Sequence, residues 1–307
     1  MNTSSHLAFF NAALLVIQAA VNIVYVRHFT LLARDYETLI SPASFAFMIW
    51  ILIYALEAVL VITDLLYPAH ALYAHANQPY QLRICFAFSC VFNAAWLLFY
   101  VKHFTLMASV MMFLLWLVLL VLYVYTVNDR NARRAFDWQW YVCNELPVAM
   151  YFAWVTCMAF VHLTIALQVS HRGFLMLSSY VTHLTVIAVF ALLAIVYAQD
   201  LIFGLVAIWF FVAVATKHVA LPFKIVAADM SVRACAGQAA GIVTAVMAVA
   251  VLSIYLVDRT SLTALDPRIS KATTLQTPVE ASLPRGNAVE PVAAPRPPTY
   301  GATMASV

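Results

Sequence analysis

The stretch Ser44–Leu66, SFAFMIWILIYALEAVLVITDLL, decides the architecture, because its 23 residues include only two ionisable acids, Glu57 and Asp64. About 20 consecutive, mainly apolar residues carry a helix across the hydrocarbon of a bilayer. The run is continuous rather than alternating, which favours a helix over a barrel strand. At helical spacing Trp50, Tyr54, Glu57, Val61 and Asp64 share one face. A face carrying a carboxyl cannot rest against acyl chains, so it is expected to look into a bundle or a wet cavity.

Similar runs lie on both sides: Leu7–Val26, Ile84–Tyr100, Leu106–Val127, Leu146–Val169, Ser179–Ala198, Ile202–Val219 and Ala236–Val257. With Ser44–Leu66 they predict eight spans, an all-α polytopic membrane bundle. Composition agrees, since 65% of the 307 residues are hydrophobic and 9% are charged, against about 25% charged in soluble domains. Breaks fall at Pro68, Asn77 and Pro79, at Asn128–Arg134, and at Pro222, Lys224, Asp229 and Arg233. Between the sixth and seventh runs only Gln199 and Asp200 intervene, which calls for a tight hairpin. Met1–His6 has no Lys or Arg, and the run after it is longer than a signal-peptide core, so a retained first helix is expected. Lys and Arg divide evenly between the two sides of the eight spans, and orientation stays open.

From Asp258 to Val307 the composition changes: seven of the 12 prolines lie there, and a disordered Pro-rich tail is expected. Composition therefore separates residues 1–257, which hold the spans, from 258–307, the tail. A net charge of +3 gives no footprint for nucleic acid. The five cysteines have no zinc-type pairing, and His70 and His75 have no carboxylate or thiol near them in sequence, so no metal or cofactor is expected. Gly237 and Gly241 form a GxxxG, with Ala245 continuing the row. Such a row lets helices approach closely, and packing within the chain is preferred here to a homo-oligomer. Tyr25–Ala33 (YVRHFTLLA) and Tyr100–Ala108 (YVKHFTLMA) match at seven of nine positions, which points to a parallel repeat of helix pairs.

Further polar stripes accompany the one on the second span: Gln18, Asn22 and Tyr25 on the first, Asn93, Trp96 and Tyr100 on the third, and Tyr151, Trp154, Met158 and His162 on the fifth. Together they have the make-up of a small-molecule pocket, mostly aromatic with a few polar groups. Packing and interface anchoring are the alternative for any one of them.

Three stretches carry a resemblance: SPASFAFMIWILIY (Ser41–Tyr54), NAAWLLFYVKH (Asn93–His103) and LPVAMYFAWVTCMAFVH (Leu146–His162). They resemble the translocator-protein family, also called tryptophan-rich sensory protein or peripheral benzodiazepine receptor, in its longer form with extra C-terminal helices, and the resemblance implies residues 1–170 as a five-helix core, 171–257 as three further spans and 258–307 as the tail. DLIFGLVAIW (Asp200–Trp209) is similar to the helix that follows in those longer members. Pro42, Trp50 and Tyr54 match the family's second-helix motif, Asn93 and Trp96 the third, Pro147 and Trp154 the fifth. The resemblance implies a pocket for porphyrins and other flat aromatic molecules. His162 stands where the family usually has Asn, no Tyr follows for its sterol motif, and Glu57 is foreign to its second helix.

The expectation is a multi-pass protein, of unspecified organelle, surrounded by lipid and binding a hydrophobic small molecule such as a tetrapyrrole for sensing or transport. The expected ligand-binding residues are Trp50, Tyr54, Glu57, Asn93, Trp96, Trp154 and His162. The alternatives are a proton- or ion-coupled secondary transporter using Glu57, and a membrane adaptor acting through its tail. No phosphate loop, nucleophile elbow or other catalytic constellation is present in the sequence, so an enzyme is not expected.

Overall fold

The computed structural model of the chain describes residues 3–74, 76, 79–133, 136–217 and 223–274. Among the described residues every regular element is helical. Eight helices have fifteen residues or more: α1 (Thr3–Asp35), α2 (Ile49–Leu66), α3 (Pro79–Val101), α4 (Thr105–Ala132), α5 (Leu146–His171), α6 (Leu177–Val196), α7 (Leu201–Ala215) and α8 (Phe223–Thr274). Residues Met1–Leu256 make one compact unit, which holds α1 to α7 and the apolar part of α8. The expected disordered tail falls largely outside the described residues, which end at Thr274; α8 continues as helix past the expected end of the last span.

Among the described residues seven segments are long and apolar enough to cross a bilayer, so the chain is an integral, multi-pass membrane protein. The exception is α7. Its 15 residues reach about 22 Å at 1.5 Å each, short of the roughly 30 Å of hydrocarbon. The seventh apolar run extends in sequence to Val219, but the helix stops at Ala215. The tight turn before it is present: Gln199 has φ 50°, and the Asp200 carboxylate accepts from the Ile202 and Phe203 amides at 2.9 and 3.1 Å. An Asp at this position caps the first free N–H groups of the helix.

The first five helices close a ring. α1 packs on α2 and α3, α3 on α4, α4 on α5, and α5 returns to α2. α5 is the axis of the bundle: 16 of its 26 residues are buried, and it also receives α6 and α7. Its entry follows from Pro147, which has no N–H and whose ring would meet the carbonyl one turn back. A π turn over Tyr141–Glu145 precedes it and absorbs the mismatch. The Asp137 side chain caps the helical turn before that, accepting from the Gln139 and Trp140 amides.

Two sequence expectations are corrected. In the YV(R/K)HFTL repeat the first copy stays inside α1, whereas the second turns the chain from α3 into α4, with His103 at φ 64° and the Phe104 amide bonded to the Phe99 carbonyl at 2.9 Å. α3 must reverse at once into its neighbour, while α1 is followed by a longer connection to α2. The copies still end on the same side: Tyr36, just beyond α1, meets His103 (hydroxyl to Nδ1, 2.9 Å). Second, Gly237 and Gly241 do not pack within the chain. A Cβ on either would meet nothing within 4 Å. α8 instead buries the opposite stripe, Val232, Ala236, Ala240 and Val243.

Asp64, on the face predicted to look inward, is buried and held by Arg83 of α3, Nε to Oδ2 at 2.9 Å and Nη2 to Oδ1 at 2.6 Å. The guanidinium also lies over the Tyr73 ring, 4.9 Å from its centroid. Removing one partner of such a pair leaves the other charge buried alone. Arg83→Leu should therefore lower the unfolding free energy of the purified protein by about 3–5 kcal/mol, and Arg83→Leu with Asp64→Leu should recover most of that loss in the same thermal denaturation assay. Losses that simply add would count against a paired role.

Candidate functional site

The aromatic side chains of α2 and α3 form a continuous wall. Trp50 stacks on Tyr54 at 5.6 Å between ring centroids and 22°, and on Trp96 at 5.9 Å and 23°. Tyr151 of α5 meets Trp50 edge-on at 5.9 Å. In front of this wall lies a cavity of about 560 Å³ lined by Asn22, Phe47, Trp50, Tyr54 and Trp96, among others. Its rim includes Ile23, Met48 and Ile51, which are 74%, 65% and 71% exposed. These apolar rim residues lie on the outer surface of two membrane-crossing segments, so the mouth opens sideways between α1 and α2, toward lipid.

Behind the wall the polar groups are joined. Asn22 Nδ2 donates to the Asn93 Oδ1 at 3.0 Å and to the Gln18 carbonyl at 2.9 Å. The Tyr54 hydroxyl donates to the same Asn93 oxygen at 3.4 Å, and Asn93 Nδ2 donates to the Tyr151 hydroxyl at 3.0 Å. One turn deeper Gln18 Nε2 donates to Glu57 Oε2 at 3.3 Å. Satisfying buried amides and hydroxyls in this way is what fixes the rotation of α1, α2, α3 and α5 about their axes.

The seven expected residues therefore separate by position. Trp50, Tyr54 and Trp96 line the cavity. Asn93 lies behind Tyr54 and Glu57 lies below it, both buried. His162 does not face the cavity: a ring nitrogen accepts from Trp96 Nε1 at 3.0 Å, so that nitrogen carries no hydrogen and the imidazole orients the indole from behind. Trp154 is also set back, with its ring edge-on to Phe47 at 6.0 Å and near Phe210. The reason is the same for both. α5 is buried on nearly every side, so a stripe on it reaches the packed interior before it reaches a void. Among the lining residues that escape a reading of the sequence are Ser44, Phe47 and Met48. They arrive on a short 3-10 turn, Ser44–Met48, which a hydrophobic run does not distinguish from the α-helix after it.

That turn is held by α7. The Ala43 amide donates to the Ala213 carbonyl at 3.1 Å, Trp209 Nε1 to the Ala46 carbonyl at 3.2 Å, and the Trp209 ring packs edge-on against Phe45 at 5.1 Å. Just past α7, Lys217 Nζ reaches the Thr38 carbonyl at 2.7 Å and Glu37 Oε1 at 2.8 Å. The short helix is thus a strut under the α1–α2 connection, whose end supplies one border of the cavity.

Fold and cavity together define a polytopic helical membrane protein with a lipid-facing aromatic recess. The family model described as TSPO-like protein matches residues 5–256, and the chain belongs to that family. The match continues well beyond residue 170, through α6 and α7 and into α8. No curated protein and no solved structure matches the chain.

If α7 supports the α1–α2 connection, Lys217→Met should loosen it without unfolding the bundle. Amide hydrogen exchange across residues 38–46 should accelerate about tenfold, the equivalent of about 1.4 kcal/mol, while exchange in α5 stays slow. Equal acceleration in both segments would mean a global effect instead.

Proposed function

We propose that the chain binds a flat hydrophobic molecule, such as a tetrapyrrole, in the recess between α1, α2 and α3, and does so for sensing or transport. The observation that carries this reading is the wall itself: three rings, Tyr54, Trp50 and Trp96, with each neighbouring pair stacked within 23° of parallel, beside an open volume of about 560 Å³. A wall of nearly parallel rings favours a planar π-system over a globular lipid. The sideways mouth suits a ligand that partitions into the membrane. Asn22 and Tyr54 supply the polar contacts that set its orientation. Membership of the TSPO-like family supports a hydrophobic ligand in general terms.

Titrating the detergent-purified protein with protoporphyrin IX, haem and a sterol, and following tryptophan fluorescence, tests the proposal. Protoporphyrin should quench with saturation. Trp50→Leu should weaken that binding by about tenfold, as expected for losing roughly 1.4 kcal/mol of stacking and contact, and Trp96→Ala combined with Asn93→Ala should weaken it further. Undiminished affinity in the double variant would remove the recess as the site.

A further inference from the structure

Glu57 is buried to 1% exposure in the middle of a spanning segment. The titratable groups facing it are Tyr54 on its own helix, Cys90 on α3 and Tyr151 on α5. From α1 it meets the amide of Gln18. Among the described residues no ion pair reaches it; Arg83, further along α3, is committed to Asp64. An ionised carboxylate here would rest on a single hydrogen bond of 3.3 Å, in a place where water cannot supply others.

Donors and acceptors around the carboxyl are also out of balance. Glu57 Oε1 and Gln18 Oε1 are both buried and both lack a donor, although the two side chains face each other through Gln18 Nε2 and Glu57 Oε2. An ionised Glu offers only acceptors, and the amide's one oxygen is an acceptor too. A single hydrogen on Glu57 Oε1 supplies what both bare oxygens need. It would convert the contact into a reciprocal acid–amide pair, with amide N–H to acid carbonyl and acid O–H to amide carbonyl.

We infer that Glu57 and Gln18 form a proton-binding site inside the bundle, in which Glu57 is the acid and donates its hydrogen to the Gln18 side-chain carbonyl oxygen. The site is wired to the recess. The Gln18 backbone carbonyl accepts from Asn22, Asn22 donates to Asn93, and Tyr54 donates to Asn93 in turn. Asn22 and Tyr54 line the cavity, so a ligand that takes over either hydrogen bond disturbs a chain that ends on the backbone of Gln18, the residue whose side chain meets the acid. This coupling rests on the recess being a ligand site; the proton site itself does not.

Infrared difference spectroscopy on the full chain in nanodiscs, at neutral pH and without ligand, tests the proton site. The wild type should show a protonated-carboxyl C=O band that shifts in deuterated buffer and is missing in Glu57→Gln, which is isosteric with the acid form and should keep the wild-type melting temperature. Loss of a carboxylate band in Glu57→Gln, with no loss of an acid band, would overturn the site. A carboxylate band at Glu57 that responds to sodium would do the same, by making it a cation site. Should Glu57→Gln not fold, Gln18→Met provides the second test: the acid band should persist and move to higher frequency as it loses its amide partner, and an unmoved band would refute the pairing. Adding protoporphyrin IX to wild type should shift the acid band; saturable quenching with no band shift would overturn the coupling alone.

Discussion

Hydrocarbon offers nothing to a polar group, and the packing of the first three helices with α5 is the response to that fact. Gln18, Asn22, Tyr54, Glu57, Asn93 and Tyr151 come from four helices, and each is hydrogen-bonded to a side chain on another helix. In a bilayer apolar contact alone does not favour one helix rotation strongly over another, because lipid tails are as apolar as leucine. The polar chain does discriminate. It fixes which faces of α1, α2 and α3 meet, and once they are fixed the indoles of Trp50 and Trp96 come to lie against each other.

The same polar chain leaves a gap on its lipid side. Aromatic rings are wide and rigid, and with Trp50, Tyr54 and Trp96 stacked behind, α1 and α2 do not close fully in front of them. The recess is thus a by-product of building a bundle wall from stacked rings, bordered by the 3-10 turn that carries Phe47 and Met48. Helices beyond the first five contribute from outside. α7 acts on the recess through that turn, which it holds by Trp209 and the Ala213 carbonyl.

Much of this is legible in the sequence, and the parts that are not share a cause. Helical spacing puts Glu57 and Asp64 on an inward face, and burial of both agrees. Spacing cannot name a partner, however: Gln18 for Glu57 and Arg83 for Asp64 depend on the relative height of neighbouring helices. Nor does a stripe say whether it meets a void or packed atoms, which is why spacing groups Trp154 and His162 with the cavity-lining residues. Gly237 and Gly241 have one spacing and two readings, and only the packed stripe on the other side of α8 separates them. The expected seventh run overshoots the end of α7 because Thr216, Lys217 and His218 follow Ala215 with no Gly or Pro to mark a stop; the signal at Asp200 is chemical, a carboxylate placed to receive free amides.

The shortness of α7 also bears on depth. Asp200 and Lys217 flank it, both nearly inaccessible at 3% and 6% exposure. The 15 helical residues between them rise only about 22 Å, less than the thickness of the apolar slab. The helix alone does not cross the slab, and the polar groups at its two ends are covered by neighbouring protein rather than by water. A segment this short is sensitive to bilayer thickness, and lipids of different chain length would change the distance of its two ends from the aqueous phase.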